Sequence, residues 1–474
     1  MEINIRSELK NLLIVVFLTF IVFMIIALGL AFITGEFDLL IFSQILVYPT
    51  LISASVFFFR ATFNVKNDNS FLGIAFFTAL IARIIVVIIL YYLLIELQGH
   101  PFLGGFKDES MYHSISSYFA KNPQVPLSDV NRFGLSDNYG MYPYLVGFFY
   151  RCFGIHTLVA RFLNAFIGAL CVIPFYLFVR NLGMKQETAK LAAAFYVFSA
   201  NFILFNSIQL KDSLTLLLCF LLVYLGSLLM KTKRISRVVL LTGMYLVISL
   251  PFLYIRGEFF FLFAVYYLIF VYKRFFNKLS LDFSRILIIT LVVAMLFLVC
   301  WRLIPEISSR MGKFSGNYIE YAFLRYEKWQ ILDLFGSLIP IITSVTGFFL
   351  PLPSLISFPC PDSSYLADVF ENPSHTEIFF ISIISLITIF ASYKIKKMGF
   401  NVILYLATIL YISLLVTGYV TYPRHKLFLT ALCLIVAAYG IVETKIKFRI
   451  VLPICVAGWF FVFIYNLLRF LARA

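Results

Sequence analysis

The chain has 474 residues, of which 62% are hydrophobic and only 13% are charged, with a formal net charge of +15. Soluble domains carry nearer ~25% charged residues, so this composition excludes a water-soluble globular protein and predicts an all-α polytopic membrane protein. The positive balance comes without a nucleic-acid-binding motif and reads instead as membrane topology and contact with anionic lipid.

A helix needs about 20 apolar residues to cross the hydrocarbon core. On that rule the sequence predicts 13 spans, near 11–34, 39–59, 71–97, 155–179, 188–206, 213–230, 238–255, 259–272, 284–303, 378–393, 400–420, 427–442 and 450–468. Segments 141–153 and 331–352 are apolar but short or broken by proline, and read as interfacial or re-entrant. The first apolar stretch is too long for a signal-peptide core and is expected to remain as a helix. With the N-terminus in the cytoplasm, the inner loops collect 21 basic and six acidic residues, against 16 basic and 17 acidic outside. This is the bias that the positive-inside rule requires. One charge, Arg83, falls inside a span; the expectation is that this span starts later and that Arg83 marks its cytoplasmic end. Seven cysteines, mostly within spans, predict no disulfide framework, and no spacing suggests a metal site.

Two outer loops stand out, 98–140 and 304–377, and long ordered loops on a membrane bundle tend to carry function. The first opens on Lys107-Asp108-Glu109-Ser110-Met111-Tyr112-His113. From Asp108 to Asn122 the apolar residues Met111, Tyr112, Ile115, Tyr118 and Phe119 fall on one helical stripe, ended by Pro123. Such a helix is expected to lie flat on the bilayer surface.

The candidate residues are the ionisable groups of these outer turns. Asp108 suits a helix N-cap; equally, it suits a general base for an incoming hydroxyl, with Glu109 orienting it. Gln209-Leu210-Lys211-Asp212 forms a tight turn between two spans, where charged groups are costly and default to functional candidates. In Arg256-Gly257-Glu258 the two charges either pair with each other or face the same site. Tyr422-Pro423-Arg424-His425-Lys426 places three cations or potential cations outside, against the positive-inside bias, where they suit an anion such as a lipid phosphate. All five histidines map to the outer face, His113 one turn after Glu109. Transfer of a sugar from a polyprenyl phosphate needs a carboxylate to deprotonate the acceptor and cations to stabilise the departing phosphate. Asp108 and Asp212 supply the first requirement, Arg424 and Lys426 the second.

Asp108-Glu109-Ser-Met-Tyr112-His113-Ser-Ile115 resembles the first-loop "DE-x-x-Y-x-x-I" segment of the membrane-embedded GT-C glycosyltransferases, with family 39 protein mannosyltransferases and lipid A aminoarabinose transferases as the nearest relatives. Tyr142-Pro143-Tyr144-Leu145, Phe153-Gly154 with Arg161, Lys211-Asp212-Ser-Leu and Tyr422-Pro-Arg424-His425 follow in the family's order, with Tyr142 where the family has lysine. The resemblance implies a GT-C-like bundle of about 13 helices, with residues 1–70 as two added N-terminal helices and 71–474 as the catalytic core. It implies Asp108, Glu109 and Asp212 as the catalytic carboxylates, and Tyr112, His113, Lys211, Arg256, Glu258, Arg424, His425 and Lys426 as substrate-binding residues. The implied partners are a polyprenyl-phosphate sugar, an acceptor of the bacterial cell envelope and membrane lipids, at the extracytoplasmic face of the plasma membrane. No cofactor is required, although Asp108, Glu109 and Asp212 could bind a divalent cation. An envelope polysaccharide polymerase or ligase acting on diphosphate-linked oligosaccharides is the alternative enzyme. A lipid or solute transporter is the alternative of another class; it would place charges along a midplane path and break its helices.

Overall fold

In a computed structural model the described residues are 39–103, 107–133, 140–275 and 427–443, with Ile21, Glu377, Ile381, Ser385, Thr388 and Arg424. Among them the secondary structure is helical, with no strand. The helices are α1 (Leu39–Thr62), α2 (Asp68–Gln98), α3 (Lys107–Lys121), α4 (Met141–Phe153), α5 (Thr157–Leu170), α6 (Val172–Asn181), α7 (Gln186–Phe198), α8 (Ala200–Phe205), α9 (Asp212–Lys231), α10 (Ile235–Ser249), α11 (Gly257–Phe275) and α12 (Leu427–Val442). Four stretches are long and apolar enough to cross a membrane: Asp68–Gln98, Thr157–Asn181, Asp212–Lys231 and Ile235–Tyr254. The predicted spans 284–303, 400–420 and 450–468, the span 11–34 apart from Ile21, nearly all of 378–393, and the second outer loop apart from Glu377 lie outside the described residues, the 331–352 segment included.

The helical bundle has two distinct ends. At one end Asp68 accepts hydrogen bonds from Tyr176 (2.6 Å) and Gln186 (2.6 Å) and pairs with Arg180. There the Lys190 ammonium donates to the carbonyls of Thr62, Phe63 and Val65, satisfying the C-terminus of α1. Glu443 joins the same end by accepting from the Lys185 amide and the Thr188 hydroxyl. These are the basic segments that the sequence assigns to the inner loops.

Helix α2 shows why the apolar pattern alone locates a span. Phe71, Ala75, Ala79, Val87, Leu90 and Leu94 are buried, whereas Ile74, Phe77, Ile81, Ile85 and Ile88 on the other face are exposed. Both faces are apolar, as a lipid-facing helix requires. Its end is set by Gly99, whose φ of 73° lies in the left-handed region and whose amide closes on the Ile95 carbonyl at 2.8 Å. Arg83 corrects the sequence reading: the helix starts at Asp68, and Arg83 sits in its middle, fully buried. Its guanidinium donates to the carbonyls of Ala79 and Val197 and lies 5.3 Å from the centre of the Tyr196 ring. The predicted span 188–206 is likewise two helices, α7 and α8, broken at Ser199. Arg83 caps the end of the first, and Glu377 accepts from the Asn201 amide at the start of the second.

At the other end α3 packs on α4. Tyr112, Ile115 and Phe119 are buried there, so the apolar stripe faces protein and the helix does not lie flat on a bilayer by that face. The close approach depends on Gly147, where an added Cβ would meet Phe119 Cβ at 2.9 Å and the Ser116 carbonyl at 3.0 Å.

Candidate functional site

Consecutive residues of a helix point about 100° apart, and this separates Asp108 from Glu109. Glu109 turns inward and is fully buried. Its Oε1 accepts from Arg161 Nε (3.0 Å), Arg161 Nη2 (2.8 Å) and the Gln209 amide (2.9 Å), and its Oε2 accepts from the Leu103 amide (2.9 Å). Arg161 also donates to the Pro101 carbonyl. One carboxylate thus ties the segment after α2, the start of α3, helix α5 and the turn before α9. With four donors on it, Glu109 is engaged by groups of the chain itself and forms a buried joint between segments.

Asp108, in the first turn of α3, is partly exposed, and its Oδ2 accepts from Arg424 Nη1 at 2.7 Å across 316 residues of sequence. Its carboxylate is directed to this guanidinium. Burial alone would lower the Arg424 pKa, but the negative charge of Asp108, then that of Asp212, outweighs it and raises the value, keeping the guanidinium charged. Tyr112 also lies within electrostatic range of Arg424, its ring buried against Tyr142.

Asp212 opens α9, where a carboxylate is favoured by the helix dipole. It accepts from Arg256 Nη2 at 2.7 Å, and both side chains are buried. Lys211 beside it donates to the Ile255 carbonyl at 3.0 Å. The turns at 207–211 and 255–256 are therefore fastened together twice. Asn164 fixes the first of them from below, donating to the carbonyls of Ile208 and Leu210 while accepting from Tyr142. Arg256 takes Asp212 as a partner.

His113 lies one turn beyond Glu109, on the inward side. Its Nδ1 is 2.8 Å from the Tyr150 hydroxyl, which donates its proton to Gln209 Oε1 at 3.3 Å. The Nδ1–H of His113 is therefore the donor in the first contact. Burial, then the nearby His156, pushes its pKa below the usual imidazole value, with Glu109 pulling the other way.

Asp108, Asp212, Lys211, Arg256, Arg424 and Tyr112 thus come together, while His113 belongs to the Glu109 joint through Tyr150 and Gln209. The Glu258 side chain, His425 and Lys426 lie outside the described residues. Asp108, Glu109 and Asp212 each face a different arginine, and among the described residues no group of three His, Cys, Asp or Glu side chains is placed to hold a metal ion. Arg161 is the residue that reasoning from the loops leaves without a role; the signal for it was a cation near the start of an apolar span, which must be paired.

Comparison of the chain with protein-family models, with curated proteins and with solved structures gives no match.

Proposed function

We propose that this protein is a membrane-embedded glycosyltransferase, GT-C-like in its bundle of about 13 helices, that moves a sugar from a polyprenyl-phosphate donor to an acceptor of the cell envelope. The reaction takes place at the extracytoplasmic face of a bacterial plasma membrane. The observation that carries this reading is the Asp108–Arg424 contact. It joins a partly exposed carboxylate on the first loop to the cation of the late Tyr422-Pro-Arg424-His425 motif, the two groups that the reaction needs side by side. Asp108 removes the proton of the acceptor hydroxyl as its oxygen bonds to the anomeric carbon. The bond from that carbon to the phosphate oxygen breaks, and the polyprenyl phosphate departs toward Arg424 with Arg256 and Lys211 behind it. Attack from the face opposite the leaving group inverts the anomeric centre.

The assay is sugar transfer from radiolabelled polyprenyl-phosphate sugars by membranes containing the wild-type protein or Asp108→Asn. Transfer that vanishes with Asp108 supports the reading and identifies the donor. No transfer from any monophosphate donor, with transfer from diphosphate-linked oligosaccharides, replaces it by a polymerase.

The buried Arg83 and the break at Ser199 favour a second reading, a lipid or solute carrier, since such proteins place charges and interrupted helices at membrane depth. Transport into proteoliposomes without any glycosyl transfer would establish it.

A further inference from the structure

Four carboxylate–guanidinium pairs are described at this end of the bundle; Arg132 and Asp129 pair within one loop turn, and the other three, which join separate elements, differ in how readily an incoming anion reaches them. The side chains of Arg161 and Glu109 are 0% and 0% exposed, those of Arg256 and Asp212 are 9% and 3%, and those of Arg424 and Asp108 are 20% and 35%. Glu109 has four donors, so it cannot release Arg161 without leaving buried amides unpaired. Arg256 and Asp212 are enclosed where their turns are fastened together. Of these three arginines Arg424 has the most exposed side chain, and Asp108 already pairs with it through Oδ2.

A phosphate that arrives at Arg424 therefore shares the guanidinium with Asp108, and the two anions repel each other at such a distance. Resting on the glycosyl-transfer reading, we propose that Arg424 exchanges partners, so that the donor phosphate displaces Asp108 and thereby frees the carboxylate for the acceptor. The base is then available only after the donor has bound, and donor precedes acceptor in a compulsory order. Asp108 has a short side chain on the first turn of α3, held in place by its neighbour Glu109, so the exchange needs only rotation about its own two side-chain bonds.

The exchange has an unusual signature: the catalytic carboxylate opposes donor binding. The experiment is equilibrium binding of a polyprenyl phosphate, with the polyprenol as control, to purified protein in phosphatidylcholine nanodiscs without acceptor. Wild type, Asp108→Asn, Asp108→Ala, Arg424→Ala and the double variant Asp108→Asn/Arg424→Ala are compared, with thermal midpoints recorded on each. The proposal expects both Asp108 variants to bind the phosphate about fivefold more tightly than wild type at low salt, the factor that loss of one partly exposed ion pair supplies. The gain shrinks as salt is raised and is absent when Arg424 is already alanine, which is the coupling a double-mutant cycle measures. Equal or weaker binding by the Asp108 variants overturns the proposal. So does an undiminished gain in the Arg424→Ala background, which would mean simple repulsion without exchange. If the wild type binds no polyprenyl phosphate above the polyprenol control, the donor reading itself falls, a result distinct from either of these.

Discussion

The joint around Glu109 and the mouth around Asp108 begin at consecutive residues of α3, and they are built on opposite physical terms. At the joint the Glu109–Arg161 pair is out of water, each carboxylate oxygen is occupied, and four chain segments meet on it. At the mouth the Asp108–Arg424 pair is partly exposed to solvent. A buried pair is costly to break but weak evidence of function; an open pair adds little to stability and is free to change partners. The comparison teaches that proximity to a motif does not fix a role. Adjacent acids in a helix serve different masters because the helix turns them about 100° apart.

The largest effect is expected at the joint. Glu109→Gln strands Arg161 in a dry site and should cost about 3–5 kcal/mol, read as a fall in the thermal midpoint in detergent. Adding Arg161→Met should recover part of that loss, since it removes the stranded charge. An equal loss in the double variant would mean that the hydrogen bonds to Leu103 and Gln209, not the charge pair, dominate. At the mouth, Asp108→Asn should lower kcat by about 100-fold and leave the midpoint where it is. Between the two regions lies Arg256, paired with the buried Asp212. Arg256→Lys keeps the charge but loses the planar fork, and should raise the donor KM about tenfold with a smaller change in kcat. The smallest effect concerns His113, whose pKa is depressed in the folded protein, chiefly by burial. Its neutral form stabilises the fold at neutral pH, and that contribution is lost as pH falls and the unfolded chain takes the proton first. The drop in thermal midpoint from pH 7 to pH 5 should therefore be smaller in His113→Gln than in wild type.

The helices of the described region are readable from apolar length, because a membrane span has to be apolar whatever it packs against. Asp68–Gln98 and Leu427–Val442 fall almost where the sequence places them. Asp108, Asp212, Arg256 and Arg424 were visible as candidates because charges are scarce in this chain. Their pairing was not, since Arg424 meets Asp108 across 316 residues and no local periodicity reports such a contact. Glu109 could have been read better: its helical neighbour one turn on is His113, not Asp108, which already divides the two acids between faces. Arg83 was displaced toward a membrane edge by the rule that charges avoid the middle of a span; the Val197 carbonyl and the Tyr196 ring that hold it come from α7, which sequence position does not reveal.

The division of labour between Asp108 and Glu109 is tested most directly by one paired measurement: thermal midpoint and sugar-transfer rate on purified wild type, Asp108→Asn and Glu109→Gln. The account predicts a wild-type midpoint with transfer lost for Asp108→Asn, and a lowered midpoint for Glu109→Gln with residual transfer in the fraction that stays folded. Transfer retained by Asp108→Asn, or a Glu109→Gln protein of wild-type stability without transfer, would contradict it.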